Sequence, residues 1–142
     1  MIVNRDNDKP LARLLVVDDD PDNAQSLKLG LLSHGFLVDA FTNSEEALQN
    51  FKSNPECYRL VLSDNWMHSL SGIQLAKKVK EANPNVKVLL LTGSEIMDDG
   101  FSKVSPSTSI DGFVQKPIRI RDLTHKILSL LGEAKGRMSY MG

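Results

Sequence analysis

Cysteine is nearly missing from this 142-residue chain, which carries one, Cys57. A lone thiol rules out an internal disulfide and a cysteine-rich zinc site, and it suits a reducing compartment. Charge imbalance is missing as well: 17 Lys and Arg stand against 18 Asp and Glu, for a net charge of −1. Nothing in that balance pulls the molecule toward phosphate polymers, so direct nucleic-acid binding is not expected. Long apolar runs are absent too. The longest are four residues, Leu14–Val17 and Val88–Leu91, against the roughly 20 that a membrane-spanning helix needs. The opening MIVNRDNDKP lacks the apolar stretch of a secretory signal, so a cytoplasmic protein with no membrane partner is expected. What is present is an ordinary globular mixture, 41% hydrophobic and 25% charged with 9 Gly and 6 Pro, in a length that allows one domain rather than two.

From Leu14 onward, short apolar runs alternate with helical patterns, the sequence form of βαβ units joined into a parallel sheet. The runs Leu14–Val17, Leu37–Phe41, Leu60–Leu62, Val86–Leu91 and Gly112–Val114 are bounded by turn residues and predict five strands. A first helix is expected over Asp22–His34, with Ala24, Leu27 and Leu31 on one face, Pro21 and Asp22 in its first turn, and His34 and Gly35 at its exit. Ser44 is expected to cap a second helix, with Glu45 and Glu46 against its dipole and Ala47, Leu48 and Phe51 facing inward. A third helix spans Gly72 to Asn83 until Pro84 stops it, with Leu75, Ala76, Val79 and Ala82 at inward spacings. A last helix follows from Ile120, Leu123, Ile127 and Leu130, with Gly132 as its cap. Between Glu95 and Ile110, Gly100 and the run Ser105–Ser109 leave room only for a short or irregular fourth helix. Residues 1–12 and 132–142 read as flexible tails around a body at 13–131.

In such a sheet, ligands bind beyond the carboxyl ends of the strands. Strand one ends in Asp18-Asp19-Asp20, strand three in Asp64, strand four in Thr92-Gly93-Ser94, and strand five in Gln115-Lys116-Pro117. Folding therefore gathers carboxylates, a hydroxyl and an ammonium at one edge. Like charges this close destabilise one another until a cation neutralises them, and hard oxygen ligands select Mg²⁺ or a similar ion. Mg²⁺ completes its shell with waters and phosphate oxygens, so a phosphoryl group is the implied guest. A carboxylate can attack phosphorus while Lys116 and Thr92 absorb charge on its oxygens. Each residue alone has an ordinary explanation as a turn former, and only their joint order decides. His68 and His125 read as a loop residue and a solvated helix position, and Cys57, with no His or second Cys nearby in sequence, as structural.

The ordered set resembles the receiver domains of two-component response regulators over about residues 13–131. Leu15-Val-Val-Asp18-Asp19-Asp20 is similar to the acidic motif, Leu60-Val-Leu-Ser-Asp64 followed by Gly72 to the phosphoacceptor motif, Leu89-Leu-Leu-Thr92 to the switch-hydroxyl motif, and Phe113-Val-Gln-Lys116-Pro117 to the motif carrying the switch aromatic and the lysine. The resemblance implies a flavodoxin-like (βα)5 doubly wound sheet in the order 2-1-3-4-5. It also implies Asp64 as phosphoacceptor, Asp18, Asp19, Asp64 and the backbone carbonyl of Trp66 as Mg²⁺ ligands, Thr92 and Phe113 as switch residues, and a cis peptide before Pro117. The implied partners are a histidine kinase or histidine phosphotransfer protein, and a downstream protein or effector domain.

The departures from that pattern are local. His68 stands where the family usually has proline, Gly93 replaces a small alanine, and the alanine-rich fourth helix is missing. Two rival readings have their own signatures. A constitutive interaction module would keep the fold without using phosphorylation. A metal-dependent phosphatase with an aspartate nucleophile usually has a second acid two residues later, where this chain has Trp66. The expected function is a phosphorylation switch, a phosphoacceptor rather than a turnover enzyme.

Overall fold

The computed structural model describes residues 11–65, 67, 69–93 and 110–132. Among the described residues, five strands and four helices run in the order β1 (Arg13–Val17), α1 (Pro21–Ser33), β2 (Leu37–Phe41), α2 (Ser44–Ser53), β3 (Leu60–Asp64), α3 (Gly72–Ala82), β4 (Lys87–Thr92), β5 (Gly112–Gln115) and a C-terminal helix (Ile120–Leu131). All strand pairs are parallel, and the sheet order is β2-β1-β3-β4-β5. The expected sheet is therefore present. The expected fourth helix and most of both expected tails lie outside the described residues. Leu11 and Ala12 already belong to the body: the Leu11 N–H reaches the Gly35 carbonyl at 2.9 Å, and the Leu37 N–H reaches the Ala12 carbonyl at 2.9 Å. None of the helices among the described residues is long and apolar enough to cross a membrane.

The strands are apolar on both faces because helices cover both. Leu15, Val17, Val61, Val88 and Leu90 face Phe51 of α2 and Leu75 and Val79 of α3. The intervening Leu14, Val16, Leu60, Leu62, Leu89 and Leu91 face Leu31 of α1 and Leu123 and Ile127 of the C-terminal helix. This period of two is the pleat itself. Fully burying a side chain such as Phe51 contributes about 1.5–3 kcal/mol, so these two layers supply most of the force that closes the sheet.

Local signals set most helix ends, and two differ from the sequence reading. The α2 cap is Asn43, whose side chain accepts from the Glu46 N–H at 2.9 Å. Ser44 is instead the first helical residue, buried, and its Oγ accepts the Leu70 N–H at 2.7 Å. Ala82 is exposed, because α3 turns its inward face through Gly72, Leu75, Ala76 and Val79 and then stops. Pro21 and Asp22 stand in the first turn of α1 as expected, with Asp20 as its cap; His34 closes it with Nδ1 3.1 Å from the Gly30 carbonyl, and Gly132 takes the left-handed cap at φ 80°. His125 is exposed. Cys57 is exposed too, and its N–H closes a turn on the Asn54 carbonyl at 3.0 Å. His68 lies outside the described residues.

Candidate functional site

The carboxyl ends of β1, β3, β4 and β5 bring the sequence-separated residues together. One oxygen from each of Asp18, Asp19 and Asp64 lies within 4.8 Å of the others. Asp18 directly follows β1 and is 1% exposed. Its backbone N–H bonds the Phe41 carbonyl at 3.0 Å, and its Oδ1 accepts the Asp20 N–H at 3.0 Å. Asp20, the third acid of the run, turns away from the cluster to accept the Asp22 N–H at 3.0 Å as the α1 cap.

Burial pushes the Asp18 carboxyl above its ordinary range, and the neighbouring Asp64 and Asp19 push it further; the Asp20 N–H and Lys116 act against them. A buried carboxylate beside two others is a charge awaiting a counter-ion. Three hard oxygen donors at this spacing fit Mg²⁺ or a similar cation, so the donor chemistry passes the test of fit for the ion expected from the sequence.

Lys116 reaches across from the far side of the sheet, with Nζ 3.4 Å from Asp64 Oδ1. Its backbone N–H is held by the Thr92 carbonyl at 2.7 Å, and the Lys116–Pro117 peptide is cis, as expected. Thr92 is fully buried, and its Oγ1 donates to the Val114 carbonyl at 3.4 Å. Phe113 is half-buried against the core layer under α2 and α3. The structure thus unites Asp18, Asp19, Asp64 and Lys116, holds the Thr92 hydroxyl against β5, and places Phe113 on the α2 and α3 side. Trp66, whose carbonyl was the fourth expected ligand, lies outside the described residues.

Sequence reasoning missed what supports the site. The Gly72 N–H bonds the Asn65 carbonyl at 3.0 Å, and a Cβ on Gly72 would sit 2.8 Å from the Asp64 carbonyl oxygen. Only glycine lets α3 start that close to the end of β3. Beside the acids, a pocket of about 210 Å³ opens between Asn23, Ser26 and Leu27 of α1 and Lys116, Pro117 and Ile118. A second pocket, of about 220 Å³ around Arg59, Asn83 and Lys87, lies at the opposite edge of the sheet and shares no residue with the acids. No local sequence signal marks these features, because each is made by elements far apart in the chain.

Comparison with known proteins agrees with this geometry. Residues 14–128 match the family described as the response regulator receiver domain. The chain is 29% identical over 126 residues to the response regulator receiver protein CpdR of Brucella abortus, covering 85% of this chain and 98% of that one. It is 33% identical over 121 residues to the CpxR homolog of Haemophilus influenzae, a transcriptional regulatory protein of which it spans 51%. Among solved structures, a receiver domain protein from Clostridium thermocellum superposes with a TM-score of 0.78 at 28% identity, covering 88% of this chain and 98% of that one. The regulator TrrA of Thermotoga maritima, solved with Mg²⁺ and BeF, gives 0.72 at 33% identity, covering 84% and 99%. By its matched residues and by its fold, the chain belongs to the response regulator receiver domain family.

Proposed function

We propose that this chain is a phosphorylation switch in which Asp64 accepts a phosphoryl group from a histidine kinase or histidine phosphotransfer protein. The observation that carries the reading is the convergence of Asp18, Asp19 and Asp64 within 4.8 Å, with the Lys116 ammonium 3.4 Å from Asp64. An Asp64 oxygen attacks phosphorus, the bond from phosphorus to the donor imidazole nitrogen breaks, and the imidazole leaves with its electron pair and takes a proton. Asp18, Asp19, Asp64 and the Trp66 carbonyl would hold Mg²⁺, which when bound neutralises the carboxylates and the phosphoryl oxygens. The TrrA complex with Mg²⁺ and BeF supports that assignment by relationship.

The rest follows from this chain's own groups. Lys116 stabilises charge on a phosphoryl oxygen, and the Thr92 hydroxyl leaves the Val114 carbonyl to donate to another. Such bonds exist in one state only, so they bias the Thr92 and Phe113 region toward an active conformation that a downstream protein or effector domain reads. The chain is a phosphoacceptor that also sheds its phosphoryl group, and it works in the cytoplasm.

Intact-mass spectrometry tests the reading. With acetyl phosphate and Mg²⁺, the chain is expected to gain one phosphoryl group, and Asp64→Asn none. Uptake by the Asp64→Asn variant would reassign the nucleophile. Absence of uptake by both would leave a constitutive interaction module.

A further inference from the structure

Asn43 caps α2, which leaves the hydroxyl of the next residue, Ser44, free of that duty. Ser44 is 1% exposed, and its Oγ accepts the Leu70 N–H at 2.7 Å across 26 positions of sequence. Leu70 belongs to the connection that leaves the end of β3 at Asp64 and enters α3 at Gly72. Near its ends this connection is held by its own elements: Ser63 Oγ donates to the Asp64 carbonyl at 2.8 Å, and the Gly72 N–H to the Asn65 carbonyl at 3.0 Å. Ser44 instead ties it to a different element, the start of α2.

The same turn grips the other half of the acid site. The Phe41 carbonyl, at the end of β2, accepts the Asp18 N–H at 3.0 Å. Phe41 and Ser44 stand three peptide units apart and so span at most roughly 10 Å, and the cap bonds of Asn43 to Glu46 and Ala47 fix the turn as it enters α2. One short turn therefore sets the spacing between the segment that supplies Asp18 and Asp19 and the segment that begins with Asp64. A divalent cation shared by the two segments needs that spacing held, because Mg²⁺ demands near-octahedral geometry at roughly 2.0–2.1 Å. The Asp64 and Asn65 carbonyls already have donors, and the next carbonyl in sequence is that of Trp66, assigned to the cation above.

We propose that Ser44 is a positioning residue for the divalent cation: by holding the Leu70 N–H, it keeps the connection after Asp64 at the distance from Asp18 that the cation requires. The inference rests on the reading of Asp18, Asp19 and Asp64 as the cation site. Ser44 touches neither the cation nor the phosphoryl group and acts through the backbone that it anchors, as groups behind metal ligands do. Coupling of this kind is mutual, so a bound cation strengthens the Ser44 bond by the factor by which the bond strengthens cation binding.

The test titrates the full chain with Mn²⁺, a cation suited to the same oxygen donors, and reads the free ion by electron paramagnetic resonance, with Mg²⁺ as competitor. Ser44→Ala is expected to bind Mn²⁺ about tenfold more weakly than wild type, the lower end of what such supporting groups contribute. Asn43→Ala removes the α2 cap at a similar loss of stability, followed by urea unfolding without metal, and is expected to bind within twofold of wild type. In wild type, saturating Mg²⁺ is expected to slow exchange of the Leu70 amide hydrogen by about the same tenfold. Mn²⁺ affinity unchanged in Ser44→Ala, or an equal loss in Asn43→Ala, would overturn the inference, because the effect would then be absent or would follow the stability of α2. Absence of Mn²⁺ binding by wild type, or binding that ignores Asp19→Asn, would instead remove the reading of the acids as a cation site and this inference with it.

Discussion

Tyr58 shows how much one side chain away from the site can organise. Its hydroxyl donates to Asp39 Oδ2 at 2.6 Å and accepts from Asn50 Nδ2 at 2.6 Å, and its ring stacks on Phe51 with centroids 6.0 Å apart. Arg13 adds two bonds to the same carboxylate, at 2.9 and 3.1 Å. Burial alone would push Asp39 up, but the bonds from Arg13 and Tyr58 outweigh it and hold the carboxyl below its usual range. Burial and the Asp39 bond push the Tyr58 hydroxyl up to about 12. A depressed acid stabilises the fold above its unfolded pKa and loses that as pH falls through the folded value. A raised phenol stabilises it below pH 10 and loses that as pH climbs toward 12. Tyr58→Phe is expected to cost about 1–2 kcal/mol at pH 7. It should also flatten the loss of stability between pH 10 and 12, where wild type gives up the bond that its protonated phenol donates to Asp39, as urea unfolding at each pH will show. Gly72→Ala is the sharper case. With Asp64 carbonyl oxygen and Leu90 Cδ2 both 2.8 Å from the new Cβ, it should destabilise by about 1–3 kcal/mol and slow phosphoryl uptake, measured by unfolding and by intact mass.

At the scale of elements, the connections between strands and helices carry the tests. The sequence reading placed the α2 cap on Ser44, an equally good capping residue by chemistry. Asn43 takes that role because Ser44 is needed elsewhere, holding the Leu70 N–H that precedes the capping box of α3 made by Ser71 and Gln74. Asn43→Ala should therefore cost about 1 kcal/mol and act on α2 alone. Ser44→Ala leaves the part-buried Leu70 N–H without its acceptor and should cost about 1 kcal/mol. Its protection loss in hydrogen exchange should appear at Leu70 and the start of α3, 26 residues away in the chain. Close packing of α1 on the C-terminal helix was equally illegible: Gly30 meets Ile120, whose Cγ1 would lie 2.7 Å from an added Cβ. No periodicity in either segment reveals which turn of one helix faces which turn of the other.

For the molecule as a whole, the sheet is held by two core layers, and its carboxyl edge carries a local charge excess that those layers do not stabilise. Asp18 is 1% exposed beside Asp19 and Asp64, so the metal-free protein bears the cost of that charge. Asp18→Asn is expected to unfold at a higher urea concentration than wild type without Mg²⁺, and at a lower one when Mg²⁺ is saturating. A cation that binds only the folded chain adds about 2.7 kcal/mol at one hundred times its dissociation constant, and Asp19→Asn should lose most of that gain. Urea unfolding with and without Mg²⁺ decides both.

By itself the sequence determined the alternation of strands and helices, the residues at each strand end, and the two apolar faces, because all of these follow from local period and local turn chemistry. The order β2-β1-β3-β4-β5 came from resemblance rather than from any periodicity. Only the tertiary structure decided that Asp20 leaves the acid cluster to cap α1, that Ser44 answers Leu70, and that Gly72 must be glycine. The reason is physical. A strand or helix is specified by its own side chains, but a hydrogen-bond partner, a close approach or a shared rung belongs to two segments at once, and it exists only after burial of the core has brought them together.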